Sequence, residues 1–201
     1  MRPGKYPVPW LMLLLLAGCA GLERTQTNTV AWEAHSQSVA SLRQWTASGK
    51  LALRTSDASD SASMVWQQHD RETHLQLSGP LGVGATTIDS DGEKLDIRQG
   101  DALRTLDIST PEAIALNTGW DLPLHSLVYW LKGLPAPDTE IQRLEIDPHT
   151  ELLRSLQQGD WEVRYEAYDQ FQQFTLPTRL QIRRGTTRAK IVISTWQTSS
   201  S

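Results

Sequence analysis

From Lys50 to Trp196 the chain is cut into stretches of strand length, many of them separated by turn pairs, and this spacing limits the folds open to it. The first clear strand alternates Leu51 and Leu53 with Lys50, Ala52 and Arg54. SASMVWQQ (61–68), THLQLSG (73–79), VGATTI (83–88), KLDI (94–97) and ALRTLDI (102–108) follow, with Asp91-Gly92 and Gly100-Asp101 as hairpin turns. EIQRLEI (140–146), ELLRSLQQ (151–158), WEVRYEAY (161–168), QFTLPTRLQIRR (173–184) and RAKIVISTW (188–196) complete the set, with turns at Gly159-Asp160 and Gly185-Thr186. Ten or eleven short strands with no long helical crossover between most neighbours predict a mainly β, antiparallel meander. A sheet that long curls, so the expected form is a half-barrel. Helical spacing appears in three places. Trp32, Val39 and Leu42 follow Thr29 as N-cap and end near Arg43. Thr110-Pro111 precedes Glu112 to Leu116, with Gly119 beyond, and Pro123 starts a stripe of Leu124, Leu127, Val128 and Leu131 that Gly133 stops. The last two helices, inserted halfway, supply something to cover the open side.

The N-terminus sets the address. Arg2 and Lys5 precede an apolar run from Trp10 to Leu16, too short to span a bilayer, so residues 1–18 read as a cleaved signal peptide. It ends in Leu16-Ala17-Gly18-Cys19, which resembles the bacterial lipobox, in which the cysteine receives a diacylglycerol and becomes residue one. The alternative is an ordinary secreted protein with a cysteine near the cut by coincidence. Cys19 is the chain's single cysteine, so no internal disulfide is expected and the thiol is free for lipid. Ala20 follows it, where an aspartate would favour retention at the inner membrane, so an outer-membrane anchor facing the periplasm is expected. Residues 19–28 then form the lipidated N-terminus and a polar tether, and 29–201 a single domain. Without residues 1–18 the chain has 17 basic against 23 acidic residues, a formal charge of −6. That argues against a nucleic-acid partner and against polybasic membrane attachment.

No catalytic set emerges. His35, His69, His74, His125 and His149 are scattered, and His69 and His74 would point to opposite faces if they shared one strand, so no metal site is expected. There is no GxSxG elbow. Asp89-Ser90-Asp91-Gly92-Glu93 lacks the later glutamate of a calcium loop and reads as a hairpin turn. Gly79, Gly82 and Gly84 have no helix after them to hold a phosphate. A hydrolase built on acids such as Asp89 or Glu166 has no supporting spacing, so neither enzyme activity nor a cofactor is expected beyond the lipid on Cys19. The tryptophans are more informative. Trp66, Trp130, Trp161 and Trp196 fall in predicted strands or the helix after Pro123, where they either fill a solid core or line a cavity. In SGPLGVG (78–84), Leu81 sits at the tip of a turn where nothing obvious packs against it.

These residues occur in an order with a family resemblance. Trp45 with Gly49 to Ala52, Trp66-Gln67-Gln68, Gly79-Pro80-Leu81-Gly82 and Pro123-Leu124 are followed by Trp130-Leu131-Lys132-Gly133-Leu134-Pro135. Then come Gly159 to Tyr165, Tyr168, Leu176-Pro177 and a last strand ending in Trp196. With the lipobox, this resembles the LolB family of outer-membrane lipoprotein receptors across nearly the whole mature chain. The resemblance implies an unclosed antiparallel β-barrel of about eleven strands with short helices as a lid over an apolar cavity. It implies a monomer that accepts acylated lipoproteins from a LolA-like periplasmic carrier and inserts them into the inner leaflet of the outer membrane. It also implies that the loop of Pro80, Leu81 and Gly82 protrudes, with Leu81 delivering cargo to lipid, and that Trp66, Trp130 and Trp161 help form the acyl-chain site. The competing reading is a structural outer-membrane lipoprotein with a solid core and no transfer activity. The tail from Gln197 to Ser201 has no assigned role.

Overall fold

The computed structural model describes residues 24–80, 84–108 and 122–199. A helix α1 (Arg24–Ala40) leads into β1 (Gln44–Arg54), β2 (Ser59–His69), β3 (Glu72–Ser78), β4 (Thr86–Ser90), β5 (Lys94–Gln99) and β6 (Ala102–Asp107). A short helix α2 (Leu124–Trp130) precedes β7 (Ile141–Ile146), β8 (Leu153–Gln158), β9 (Trp161–Phe171), β10 (Phe174–Arg184) and β11 (Thr187–Ser199). The eleven strands form one sheet in the order β6-β5-β4-β3-β2-β1-β11-β10-β9-β8-β7, and every pairing is antiparallel. The meander expected from the sequence is therefore two meanders, β1 to β6 and β7 to β11. They are joined where the first strand pairs with the last, Gln44 opposite Ser199 and Arg54 opposite Arg188.

Period-two alternation turns one face of this sheet inward. Met64, Trp66 and Gln68 are buried on β2 while Gln67 and His69 are exposed, and Trp161, Val163 and Tyr165 do the same on β9. Leu75, Ile88, Leu95 and Leu106 carry the same face across β3 to β6. One strand breaks parity: Ile193 and Trp196 are three residues apart, yet both are buried. The register shift opposite Ser48 and Gly49 explains it, because it inserts an extra residue into β11 and returns Trp196 to the inner face. Pro177 lies inside β10 at another register irregularity, where its missing N–H breaks no regular ladder. Val39 near the end of α1 and Leu127 and Trp130 of α2 are buried in the same core.

Two boundaries differ from the sequence reading. The N-terminal helix begins at Arg24, ahead of Thr29, because extending a formed helix by a turn of tolerant residues costs little once it is nucleated; part of the expected tether is thus helical. The first strand begins at Gln44, ahead of the alternation that starts at Lys50, and runs through Gly49, which marks a close backbone approach to β11. The turn at Asp91-Gly92 forms as expected: Asp91 Oδ1 accepts the N–H groups of Glu93 (2.8 Å) and Lys94 (2.7 Å), with Gly92 at φ +91°. Those two donors hold the Asp91 carboxyl below its usual range. The helix expected between Thr110 and Gly119 lies outside the described residues.

Candidate functional site

The inner face carries two aromatic groups. Ala47 of β1 sits opposite Trp66 on one side and Trp196 on the other, with no exposure, because only a small residue fits between them. Trp45 of β1 approaches both rings, with centroids 6.1 Å from Trp66 and 5.2 Å from Trp196. Trp130 of α2 meets Trp161 of β9 at 6.2 Å, and the Arg184 guanidinium lies 4.4 Å over the Trp161 ring. The structure thus brings Trp130 and Trp161 together and places Trp66 in the other group, all three on the core side of the sheet.

Three buried indoles, those of Trp66, Trp130 and Trp196, have their polar ends tied, while the buried Trp45 N–H has no hydrogen-bond partner. Trp66 Nε1–H donates to Gln68 Oε1 at 3.1 Å, and Gln68 in turn donates to the Asp70 carbonyl at 3.0 Å. Trp130 Nε1–H donates to Gln158 Oε1 at 2.9 Å, and Trp196 Nε1–H to the Pro177 carbonyl at 2.9 Å. Tyr165 donates its hydroxyl to the Trp130 carbonyl at 2.9 Å and Tyr168 donates to the Leu153 carbonyl at 2.6 Å. Burial pushes both phenols up, and Tyr165 adds to the effect on Tyr168. Gln68, Lys132 and Tyr165 stand in the motifs that carry the family resemblance, but the sequence reading gives no site role to them or to Gln158. A signal existed for the glutamines: Gln68 shares its strand parity with Trp66, and Gln158 with Leu156, so each points inward.

Lys132 stands where α2 meets the junction of α1 and β1. It is 6% exposed, donates from Nζ to the Leu42 carbonyl at 3.1 Å, and lies 5.8 Å over the Tyr129 ring. Burial first, and the nearby Arg43 charge second, lower its pKa from 10.5 to about 8. The unfolded chain then holds this proton more tightly than the folded one between about pH 8 and 10.5, so folding stability from this group rises with pH across that window. Lys132→Met is expected to remove a rise of about 2 kcal/mol, measured as the difference between urea unfolding at about pH 7.5 and about pH 10. Equal slopes in the variant and the parent protein would show that Lys132 is not the group responsible.

Of the other expected site residues, Pro80 is exposed at the end of the segment after β3, while Leu81, Gly82 and Cys19 lie outside the described residues. His69 and His74 fall on adjacent strands, not on one, and so share the outer face instead of opposing each other.

Comparison with known proteins follows the same lines. The family model described as outer membrane lipoprotein LolB matches residues 43–196. Outer-membrane lipoprotein LolB of Stutzerimonas stutzeri is 37% identical over 192 residues, 92% of each chain. That of Alkalilimnicola ehrlichii is 36% identical over 201 residues, 98% of each chain. Among solved structures, a LolA superfamily protein from Nitrosomonas europaea aligns with TM-score 0.53 at 9% identity, covering 84% of this chain and 94% of that one. A putative outer membrane lipoprotein-sorting protein domain from Vibrio parahaemolyticus aligns with the same score at 8% identity, covering 89% and 94%. At these identities the structural likeness speaks for the fold alone.

Proposed function

The chain belongs to the LolB family of outer-membrane lipoproteins, and on that footing we propose that it takes acylated lipoproteins from a LolA-like periplasmic carrier and passes them into the inner leaflet of the outer membrane. The observation that carries this reading is the inner face itself: a sheet of eleven strands turns its apolar surface toward the two helices, and its two edge strands, β6 and β7, pair with no further strand among the described residues. The cargo chemistry explains the need for such a surface. Burying one methylene is worth ~0.8 kcal/mol, so a sixteen-carbon chain represents about 12 kcal/mol, and release into water is prohibitive. Acyl chains enter, in this reading, along the inner face beside Trp66, Trp130 and Trp161, with α2 giving way. No covalent bond changes, so no catalytic group is assigned. Cys19 carries the lipid that locates the domain, and the domain acts as a monomer.

The loop of Pro80, Leu81 and Gly82 completes the scheme. One leucine buried in lipid contributes roughly 1.5 to 3 kcal/mol, too little to anchor a protein but enough to bias where a loop dips. Leu81→Glu is expected to leave acceptance from the carrier intact and to cut delivery to liposomes at least about tenfold, since it removes that burial and adds a charge. The assay mixes the soluble domain with carrier loaded with lipoprotein, follows cargo onto the domain, then adds liposomes. Normal delivery by the variant would remove Leu81 from the mechanism.

One observation favours a second reading, a structural lipoprotein with a solid core. Trp66 and Trp130 are 1% and 0% exposed with both indole donors satisfied, as in a filled interior. The first step of the same assay decides: a solid core takes up no cargo, and photo-crosslinking from the three tryptophan positions then finds no acyl chain.

A further inference from the structure

The mature chain's charge of −6 argues against electrostatic membrane attachment only as an average, because the strand registers gather cations on one face. At the seam of the two meanders Arg54 of β1 stands opposite Arg188 of β11, and Arg188 opposite Arg183 of β10, so three guanidinium groups lie in one rank. In the next rank Lys190 of β11 opposes Gln181 of β10, which opposes Arg164 of β9. In the third, Lys50 of β1 and Arg179 of β10 flank Val192. Their strand neighbours Leu51, Val163, Ile182, Ala189 and Ile191 are buried in the core, so all three ranks face outward.

The local pairing leaves cations over. Glu162 is bonded to Arg183 and lies 3.2 Å from Arg164, while Glu166 lies 3.8 Å from both Arg179 and Lys190. Seven cations against these two carboxylates give the face +5 among the described residues, and Lys50, Arg54 and Arg188 pair with no carboxylate there. Like charges directly opposite cost stability, so Arg54 and Arg188 weaken the seam unless an anion bridges them. The neighbouring strand adds hydroxyls: Ser59, Ser61 and Ser63 of β2 are exposed opposite Arg54, Ala52 and Lys50. Arginine forks and hydroxyl donors together suit the oxygens of a phosphate. At ~4.8 Å per strand and ~3.4 Å per residue the face measures about 19 Å by 14 Å, room for several lipid headgroups.

We infer that this face rests on the phosphates of an anionic phospholipid surface, with Arg54 and Arg188 as its central contacts. An acidic polypeptide would meet the same charge, but it is a bilayer that the anchor holds within reach. The chain belongs to a family of outer-membrane lipoproteins, and the five residues from Cys19 to Arg24, where α1 begins, span at most about 18 Å. The registers also place Ser63, at the margin of the face, opposite Ser78, two residues before Pro80. At the far end of the first meander the β2–β3 and β4–β5 turns bring Asp70, Glu72, Asp91 and Glu93 against Arg71 and Lys94, so the same surface repels that end. The inference stands on the family and the registers and does not need the transfer reading.

The test uses the protein extracted from membranes with its anchor, reconstituted in vesicles and labelled with bimane at Ser61→Cys, Cys19 carrying the lipid. The vesicles hold a nitroxide on the lipid headgroup, which quenches only on close approach. Quenching is expected to rise about twofold when about a third of the phosphatidylcholine is replaced by phosphatidylglycerol, and to fall back at high salt. The variant Lys50→Gln, Arg54→Gln, Arg188→Gln is expected to lose the rise, since each cation near an anionic surface strengthens the contact about fivefold. A label at His69→Cys, toward the far end of the same strand, is expected to stay unquenched. No rise with phosphatidylglycerol, equal quenching at the two labels, or a rise that survives in the triple variant would each overturn the proposal. Survival of the rise together with loss of carrier binding would assign the face to a polypeptide instead. Should the triple variant fail a thermal-melting check, Ala52→Lys adds a cation between Lys190 and Ser61 and is expected to raise quenching further; unchanged quenching there also overturns it.

Discussion

Gln158→Leu is expected to lower the free energy of urea unfolding by about 4 kcal/mol while leaving the strand content unchanged. Gln158 ends β8 with no solvent exposure. Its Oε1 accepts from Trp130 Nε1–H at 2.9 Å and from the Ala136 N–H at 2.8 Å, and its Nε2 donates to the carbonyls of Ala136 and Thr139, both at 2.8 Å. The amide thus uses its full capacity of two acceptor sites and two donors. Leucine nearly fills the volume but leaves two buried N–H groups and two carbonyls unpaired. Each unsatisfied buried group costs about 1–3 kcal/mol, and partial relaxation of the chain after α2 keeps the total below the simple sum. The partner choice is also testable. Trp130→Phe should cost about 1 kcal/mol less in the Gln158→Leu background than in the parent, because the indole donor it removes is already orphaned there. A loss under about 1 kcal/mol for Gln158→Leu would mean that α2 is held by apolar packing alone.

Gly49→Ala carries the second large effect, about 3 kcal/mol of lost stability by the same measurement. A Cβ built on Gly49 would lie 2.0 Å from the Val192 carbonyl oxygen and 2.9 Å from the Ile193 Cα. Both are backbone atoms, so no side-chain rotation relieves the clash. The β1–β11 pair must separate locally, and it is the seam that holds the two meanders together. Gly100→Ala is the contrast: nothing lies within 4 Å of its added Cβ, and only its φ of +57° opposes the change, so about 1 kcal/mol is expected. Equal losses at the two positions would assign the Gly49 effect to backbone propensity instead of the close approach.

Much of the site was legible because strand parity is a local property. Trp66, Trp161 and Trp196 were assigned to strands and are buried on the inner face. The turn pairs at Gly92, Gly100, Gly159 and Gly185 all adopt positive φ. Three turns left no glycine signal, since Asp70 and Gln172 take the left-handed conformation at φ 53° and Glu151 at φ 59°. The polar partners of the core were harder to read. A glutamine at an inward position looks like an error in the alternation until the loop or indole that consumes its amide is seen. Lys132 belongs to the same class, because its acceptor, the Leu42 carbonyl, lies 90 residues earlier in the chain.

By itself the sequence determined the kind of element at most positions and which side chains share a face, since periods of two and 3.6 residues are written into neighbours. It also carried the family, whose motifs stand in order along the chain. The tertiary structure alone decided that β1 pairs with β11, that an extra residue in β11 turns Trp196 inward, and that Ala47 lies between two tryptophans. Those outcomes depend on groups more than a hundred residues apart. Local periodicity says which way a strand faces but nothing about which strand it meets, and that choice is made only when the whole apolar face is buried at once.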